Sequence, residues 1–213
     1  MKIYCLSGLG VDKRAFQNIH IDGVELIHID WIDTLPKESL ANYSKRLYET
    51  IQPEPDYNLM GVSFGGMVAA EFAKIKQPSN LFLISTLNTR SELSRIFKIG
   101  AALKFHRIIP SGLMRRSNFM TNYLFGAKAK EDKKLLKEIL RDTDPKFLKW
   151  AINALVKWEN SVKPNGIKIH GSNDKMLPLK SKTNHLIEGG GHFMIVTRGM
   201  EISEIIKMEI SSE

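Results

Sequence analysis

Short apolar runs alternate with helix-spaced segments along most of the chain. The first run, residues 2–6 (KIYCL), meets the turn Ser7-Gly8-Leu9-Gly10 and then a helix-like stretch ending AFQNI. Residues 24–32 (VELIHIDWI) form a second strand-like run, and beyond Pro36 the apolar positions Leu40, Tyr43, Leu47 and Ile51 recur at helical spacing. A third strand is predicted at residues 58–62, followed by an alanine-rich helix over residues 67–75. Further strands are predicted at residues 81–85 (LFLIS), 166–170 (GIKIH) and 184–188 (NHLIE), each bounded by turn formers. The last is followed by a helix that places Ile202, Ile205, Ile206 and Ile210 on one face and leaves Glu201, Glu204 and Lys207 to water. Strands joined through helices imply right-handed crossovers and a mostly parallel sheet covered on both faces. The fold class is therefore three-layer α/β/α, with about six strands.

Between the fourth and fifth strands lie about eighty residues with no strand pattern, far more than a crossover needs, so this segment must form structure of its own. It reads as a helical cap, residues 88–160, inserted into a core made of residues 1–87 and 161–213. Residues 93–105 and 113–125 are broadly apolar, and residues 133–140 form a short amphipathic stretch. Asp144-Pro145 then opens a helix with Phe147, Ala151, Leu155 and Trp158 as its stripe; Asp144 is the expected N-cap and Pro145 the first helical residue.

Charge adds a detail to this division. The formal net charge is +8, but residues 88–160 hold 16 Lys+Arg against 7 Asp+Glu, or +9, leaving 15 against 16, or −1, elsewhere. A basic face can attract nucleic acid, anionic lipid or an acidic substrate. Here the lysines are interleaved with acids on helical segments, which reads as a solvated surface, and nucleic acid is not an expected partner. No apolar run reaches the roughly 18 residues of a membrane span, and MKIYCLSGLG lacks the extended apolar region of a signal peptide, so a cytoplasmic protein is expected. The single cysteine, Cys5, excludes an internal disulfide and a cysteine-rich metal cluster, and its apolar run makes it a core side chain.

The chemistry concentrates in three places. Residues 58–73 read NLMGVSFGGMVAAEFA, in which Gly61-Val62-Ser63-Phe64-Gly65 is a G-x-S-x-G pentapeptide between a strand and a helix. In that context the serine occupies a strained turn that projects its hydroxyl outward, so Ser63 is the candidate nucleophile. The next amide, on Phe64, lies at a helix N-terminus and can donate to a developing oxyanion. Of the six histidines, His28, His170 and His185 alternate with apolar residues inside strands, and His20 and His106 fit helix or loop surfaces. His192 follows Gly189-Gly190-Gly191 after the last strand and is the candidate base. Asp174 lies just past the fifth strand and can orient that imidazole, whereas residues 81–90 contain no carboxylate and Asp30 and Asp33 follow the second strand, far from the reaction site.

The order Ser63, Asp174, His192, each just past a strand, resembles the α/β-hydrolase family over almost the whole chain. NLMGVSFGGMVAAEFA is similar to its nucleophile elbow, IHGSNDKMLP to its acid turn and EGGGHF to its histidine loop. CLSGLGVDKRAF is similar to its oxyanion loop, with Ser7 where that loop usually has histidine. The resemblance implies a second oxyanion amide on Leu9. It also implies a shortened sheet lacking the family's two opening strands, with the second strand of this chain at one edge and the last at the other. The implied activity is a serine hydrolase that cleaves a small ester or thioester through an acyl-enzyme, needing no metal and no organic cofactor. The acyl substrate could be apolar or, given the basic insert, anionic. A carbon-carbon bond hydrolase and a non-catalytic small-ligand-binding protein on the same scaffold are the alternatives; the oligomeric state stays open. Phe119, Met120, Tyr123, Leu124 and Phe125 are expected to pack cap against core rather than line an acyl pocket, and Trp31 fits a pocket wall or a packing role equally well.

Overall fold

Side chains alternate along the strands between two opposite faces, and the sheet is built from that alternation. The protein is described by a computed structural model over residues 1–9, 11–93 and 117–211. Strands β1 (Lys2–Leu6), β2 (Glu25–His28), β3 (Asn58–Val62), β4 (Leu81–Ile84), β5 (Ile167–Gly171) and β6 (His185–Ile187) form one sheet in the order β2-β1-β3-β4-β5-β6. Every neighbouring pair is parallel. Both edges are the expected ones.

Helices α1 (Leu40–Ile51), α2 (Phe64–Ile75), α3 (Phe119–Phe125), α4 (Lys130–Asp142), α5 (Pro145–Lys157), α6 (Met194–Thr197) and α7 (Gly199–Ser211) cover the sheet and its carboxyl end. Ile3, Cys5, Met60, Val62, Phe82 and Ile84 face one layer, which holds α6, α7 and the 3-10 turn Lys13–Phe16. Leu59, Leu81 and Leu83 face the other, which holds Tyr43 and Leu47 of α1 and Met67, Val68 and Phe72 of α2. Burial pushes the Cys5 thiol pKa up, as expected of a core side chain.

Two local expectations are corrected. The run at residues 24–32 is a strand only over its first half, because β1 ends at Leu6; beyond the Cys5–His28 pair, Ile29 makes one last bond to the Cys5 carbonyl and the chain leaves the sheet. The stretch ending AFQNI forms a single 3-10 turn rather than a helix. Asn18 donates instead to the Val196 carbonyl, so the C-terminal layer holds this backbone in place of a helical ladder.

The described helices of residues 88–160 contribute side chains to both layers of the core. Leu136, Ile139 and Leu140 of α4 join the layer containing α7, whereas Ala151, Ala154 and Trp158 join the layer containing α1 and α2. Asp144 caps α5 by accepting from the amides of Lys146 and Phe147, with Pro145 in its first turn, as read from the sequence. The chain leaves and re-enters the α/β layers side by side. The Arg90 amide donates to the Asn160 carbonyl at 2.8 Å, the Asn160 side chain to the Asn88 carbonyl at 2.7 Å, and the Arg90 guanidinium to the Val156 and Trp158 carbonyls. The buried ion pair of Lys168 with Glu92, 2.6 Å apart, ties the same junction to β5. The apolar stretch expected at residues 93–105, apart from Leu93, lies outside the described residues, as do residues 113–116 and His106. No described helix is long and apolar enough to cross a membrane.

Candidate active site

The site is assembled at the carboxyl ends of the strands, and its first part is the sharp β3–α2 turn. Ser63 has φ 53° and ψ −116°, a conformation that costs a non-glycine residue about 1–3 kcal/mol and persists only where the surroundings enforce it. A Cβ on Gly65 would lie 2.3 Å from the carbonyl oxygens of Leu6 and Ser7, and one on Gly61 would lie 2.6 Å from the Gly65 carbonyl oxygen. The turn therefore closes only with glycine at both positions. It is fixed by the Ser63 amide donating to the Ile84 carbonyl at 2.9 Å and by the Thr86 hydroxyl donating to the Ser63 carbonyl at 2.5 Å. The Ser63 side chain makes no cap bond to α2, which leaves its hydroxyl for other work.

That hydroxyl meets His192. Ser63 Oγ lies 2.9 Å from His192 Nε2, and His192 Nδ1 lies 2.8 Å from Asp174 Oδ2. A carboxylate accepts only, so Nδ1 carries the hydrogen and Nε2 is left to accept from the serine. Asp174 Oδ1 accepts from the Leu177 amide at 2.8 Å, and both Asp174 and His192 are buried. The His192 loop is held to α3: the Phe193 amide donates to the Phe125 carbonyl at 2.8 Å, and the Phe125 ring presents its edge to the imidazole at 5.5 Å.

The β1 loop runs beside the nucleophile. A Cβ on Gly8 would stand 3.4 Å from Ser63 Cβ, and Leu9 faces the same cavity as Ser63. Neither the Leu9 amide nor the Phe64 amide donates to any described acceptor. Ser7 donates from its hydroxyl to the Val11 carbonyl at 2.6 Å, while the Val11 amide donates to the Gly8 carbonyl at 3.1 Å, so Ser7 fastens this turn from within. All five residues singled out in the sequence thus converge.

The remaining described histidines are dispersed, with one exception. His28 is exposed against Phe16, His185 pairs with Glu209 and His20 is exposed. His170 is buried beside the acid: its Nε2 donates to the Leu177 carbonyl at 2.8 Å and lies 3.6 Å from Asp174 Oδ2. Sequence reasoning missed this contact, although the shared Gly171 turn between His170 and Asp174 was a usable signal. Burial lowers the His170 pKa, and Lys168 and His192 act the same way, against Asp174 and the Leu177 bond. Among the described residues no group of three His, Cys, Asp or Glu side chains is placed to hold a metal ion.

Ser63 and His192 open onto a cavity of about 370 Å³ walled by aliphatic and aromatic side chains from the β1 loop, α3, α5, Met176-Leu177 and the His192 loop. Among the described residues no lysine or arginine lines it. The expectation for residues 119–125 is corrected here. Met120, Leu124 and Phe125 line the cavity, while Phe119 and Tyr123 are 83% and 50% exposed, because α3 lies over the cavity mouth and not over the sheet. Trp31 does not reach the cavity. It walls a separate cleft of about 580 Å³ with Phe147, Asp12, Asp33, Asp142 and Asp144.

Comparison with known proteins places this arrangement in context. No family model matches the chain, and no curated protein matches it either. Solved structures do. A hydrolase from Oleispira antarctica superposes with a TM-score of 0.76 at 14% identity, covering 100% of this chain and 91% of its own. A thermophilic esterase from Thermogutta terrifontis, solved with malate bound, gives 0.74 at 15% identity, covering 100% and 90%. A bromoperoxidase from Bacillus anthracis gives 0.68 at 15%, covering 99% and 91%. With its six parallel strands flanked by helices and this likeness across its whole length, the chain is a protein of the α/β-hydrolase fold.

Proposed function

We propose that the protein is a serine hydrolase that cleaves small esters with an apolar acyl group through an acyl-enzyme on Ser63. The observation that carries this reading is the unbroken hydrogen-bonded line Asp174–His192–Ser63 opening onto an apolar cavity beside two amides that have no acceptor among the described residues. His192 Nε2 takes the Ser63 proton as Oγ attacks the carbonyl carbon. The developing oxyanion accepts from the amides of Leu9 and Phe64, which need no reorganisation to receive it. Asp174 stabilises the imidazolium, and the leaving alkoxide departs with the proton from Nε2. Water then gives a proton to the same nitrogen as it attacks the acyl carbon, the bond to Ser63 Oγ breaks, and Oγ takes that proton back from Nε2 as the acid leaves.

The apolar side chains that the described residues present to the cavity, Leu124, Phe125, Leu148, Ile152 and Leu155 among them, favour an uncharged acyl chain. The esterases among the solved structures with this fold agree with the reading. A fluorophosphonate probe tests the nucleophile: wild type is labelled and Ser63→Ala is not. No labelling of wild type between pH 6 and 9 would refute it. A graded panel of p-nitrophenyl esters and acyl thioesters then separates ester from thioester preference.

A further inference from the structure

The acid of the site is held from below by a histidine outside the catalytic line. Asp174 Oδ1 accepts from the Leu177 amide at 2.8 Å, and the Leu177 carbonyl accepts from His170 Nε2 at 2.8 Å. Leu177 is thus gripped at both ends of its backbone, by the acid on one side and by a strand residue on the other. His170 belongs to β5, paired with Leu186 of β6 and one residue beyond the last pair with β4, so it is an anchor within the sheet for a loop with no ladder of its own. We propose that His170 is a positioning residue: by fastening the Leu177 carbonyl to β5 it sets the orientation of the Asp174 carboxylate toward His192. The proposal rests on Asp174 being the acid of the triad.

The chemistry of the ring agrees with this role. A carbonyl accepts only, so Nε2 carries the hydrogen and the tautomer is fixed. His170 is 1% exposed, and its Nδ1 is buried without a partner among the described residues. A proton added there would be a buried donor with no acceptor, so the ring stays neutral. Three ionisable groups face it: Asp174, which favours the charged ring, and Lys168 and His192, which oppose it together with burial. Neutrality matters, because a cationic ring 3.6 Å from Asp174 Oδ2 would compete with His192 for the same oxygen.

Two variants of the full chain test the role. His170→Leu keeps bulk and removes the donor; His170→Gln keeps a donor. Against p-nitrophenyl butyrate, kcat is expected to fall about 10- to 100-fold in the Leu variant with KM within about twofold, the Gln variant recovering most of the loss. In the resting protein the low-field proton resonance of His192 Nδ1–H is expected to shift or broaden in the Leu variant and to be preserved in the Gln variant. That resonance needs no substrate, so a wild type inert toward esters sinks the esterase reading while the His170 proposal is still decided by the spectrum. A Leu variant with kcat within twofold of wild type and an unchanged resonance overturns the proposal. If the Leu variant does not fold, ¹⁵N-histidine spectra of the wild type at pH 8 decide: the Nε2–H tautomer at His170 supports the role and the Nδ1–H tautomer overturns it.

Discussion

Two hollows share the side chain of Val11 as a wall, and they differ in what their polar groups do. The larger, about 580 Å³, is rich in carboxylates, but three of its four are occupied with structure. Asp12 is bonded to Arg14, Asp142 to Arg14 and Arg141, and Asp144 to the first amides of α5. The smaller, about 370 Å³, holds few polar groups, yet Ser63 and His192 are bonded to each other and backed by a buried acid. Volume and charge would select the first cleft; the direction of the hydrogen bonds selects the second. A reacting centre is recognised by donors and acceptors aligned in series with one end open, rather than by the number of ionisable groups.

The contrast breaks most sharply at Ser63. Ser63→Ala is expected to lower kcat by ~10⁴-fold or more, because the nucleophile is lost while the cavity and the amides remain. Retention of more than about a hundredth of the wild-type rate would mean that chemistry happens elsewhere. Next in size is the shape of the apolar cavity. Ile152→Trp fills space between α5 and the acid loop, so kcat/KM for a p-nitrophenyl octanoate should fall by roughly 10- to 100-fold while the acetate is hardly affected, each lost methylene contact being worth about 1 kcal/mol or more. An equal loss for both esters would place the acyl chain outside this cavity.

The pattern of strands and helices was legible because residues such as Ile3, Cys5, Met60 and Val62 obey a strict period of two against helices of period 3.6. The meeting of Ser63, Asp174 and His192 was legible for a related reason: each sits one turn beyond a strand, where a parallel sheet gathers its loops. What the sequence hid depends on distance across the fold. The stripe on α3 reads as core by composition, but its orientation over the cavity mouth is set by the Phe125 carbonyl bonded to the Phe193 amide, a contact 68 positions away in sequence. His170 reads as a strand interior, and its bond to Leu177 depends on how the acid loop folds back. The acidic cleft was invisible because Trp31, Asp142 and Phe147 come from three separate segments that meet only in the folded chain.

Acid should separate the two hollows. Burial depresses the His170 pKa below its ordinary 6.5, so the unfolded chain takes up that proton first. The stability it contributes is complete above about 6.5 and is lost as pH falls through the lower, folded value, with a slope of at most about 1.4 kcal/mol per pH unit for one proton. Burial and Lys13 depress His28 likewise, so its share falls in the same window. In the cleft, Asp12 is raised by burial but lowered more by its bonds to Arg14, and Asp142 is lowered by Arg141 and Arg14. Their contribution is present above about 3.8 and is lost only as pH falls further, through their folded values. Urea unfolding from pH 7.5 to 3 should therefore show His170→Gln flatter than wild type as pH falls below 6.5, while the steepening that the cleft aspartates cause below about 3.8 is the same in both. Parallel curves throughout would assign no proton uptake to His170.

The smallest effect tests whether the acidic cleft takes any part in the chemistry. Asp144→Ala removes the side chain that accepts from the Lys146 and Phe147 amides, and loss of such an N-cap costs about 1 kcal/mol. The cost falls on the first turn of α5, whereas the cavity wall uses Leu148, Ile152, Leu155 and Val156, which extend into the following turns of the helix. Those residues are held independently by Ala151 and Ala154 against α1 and α2 and by the Arg90 guanidinium on the Val156 carbonyl. Fraying at the N-terminus should therefore lower the unfolding free energy while kcat stays within about twofold of wild type. A loss of kcat beyond tenfold at unchanged stability would show that the carboxylates around Trp31 reach the reaction after all, and the division between a structural cleft and a chemical one would fail.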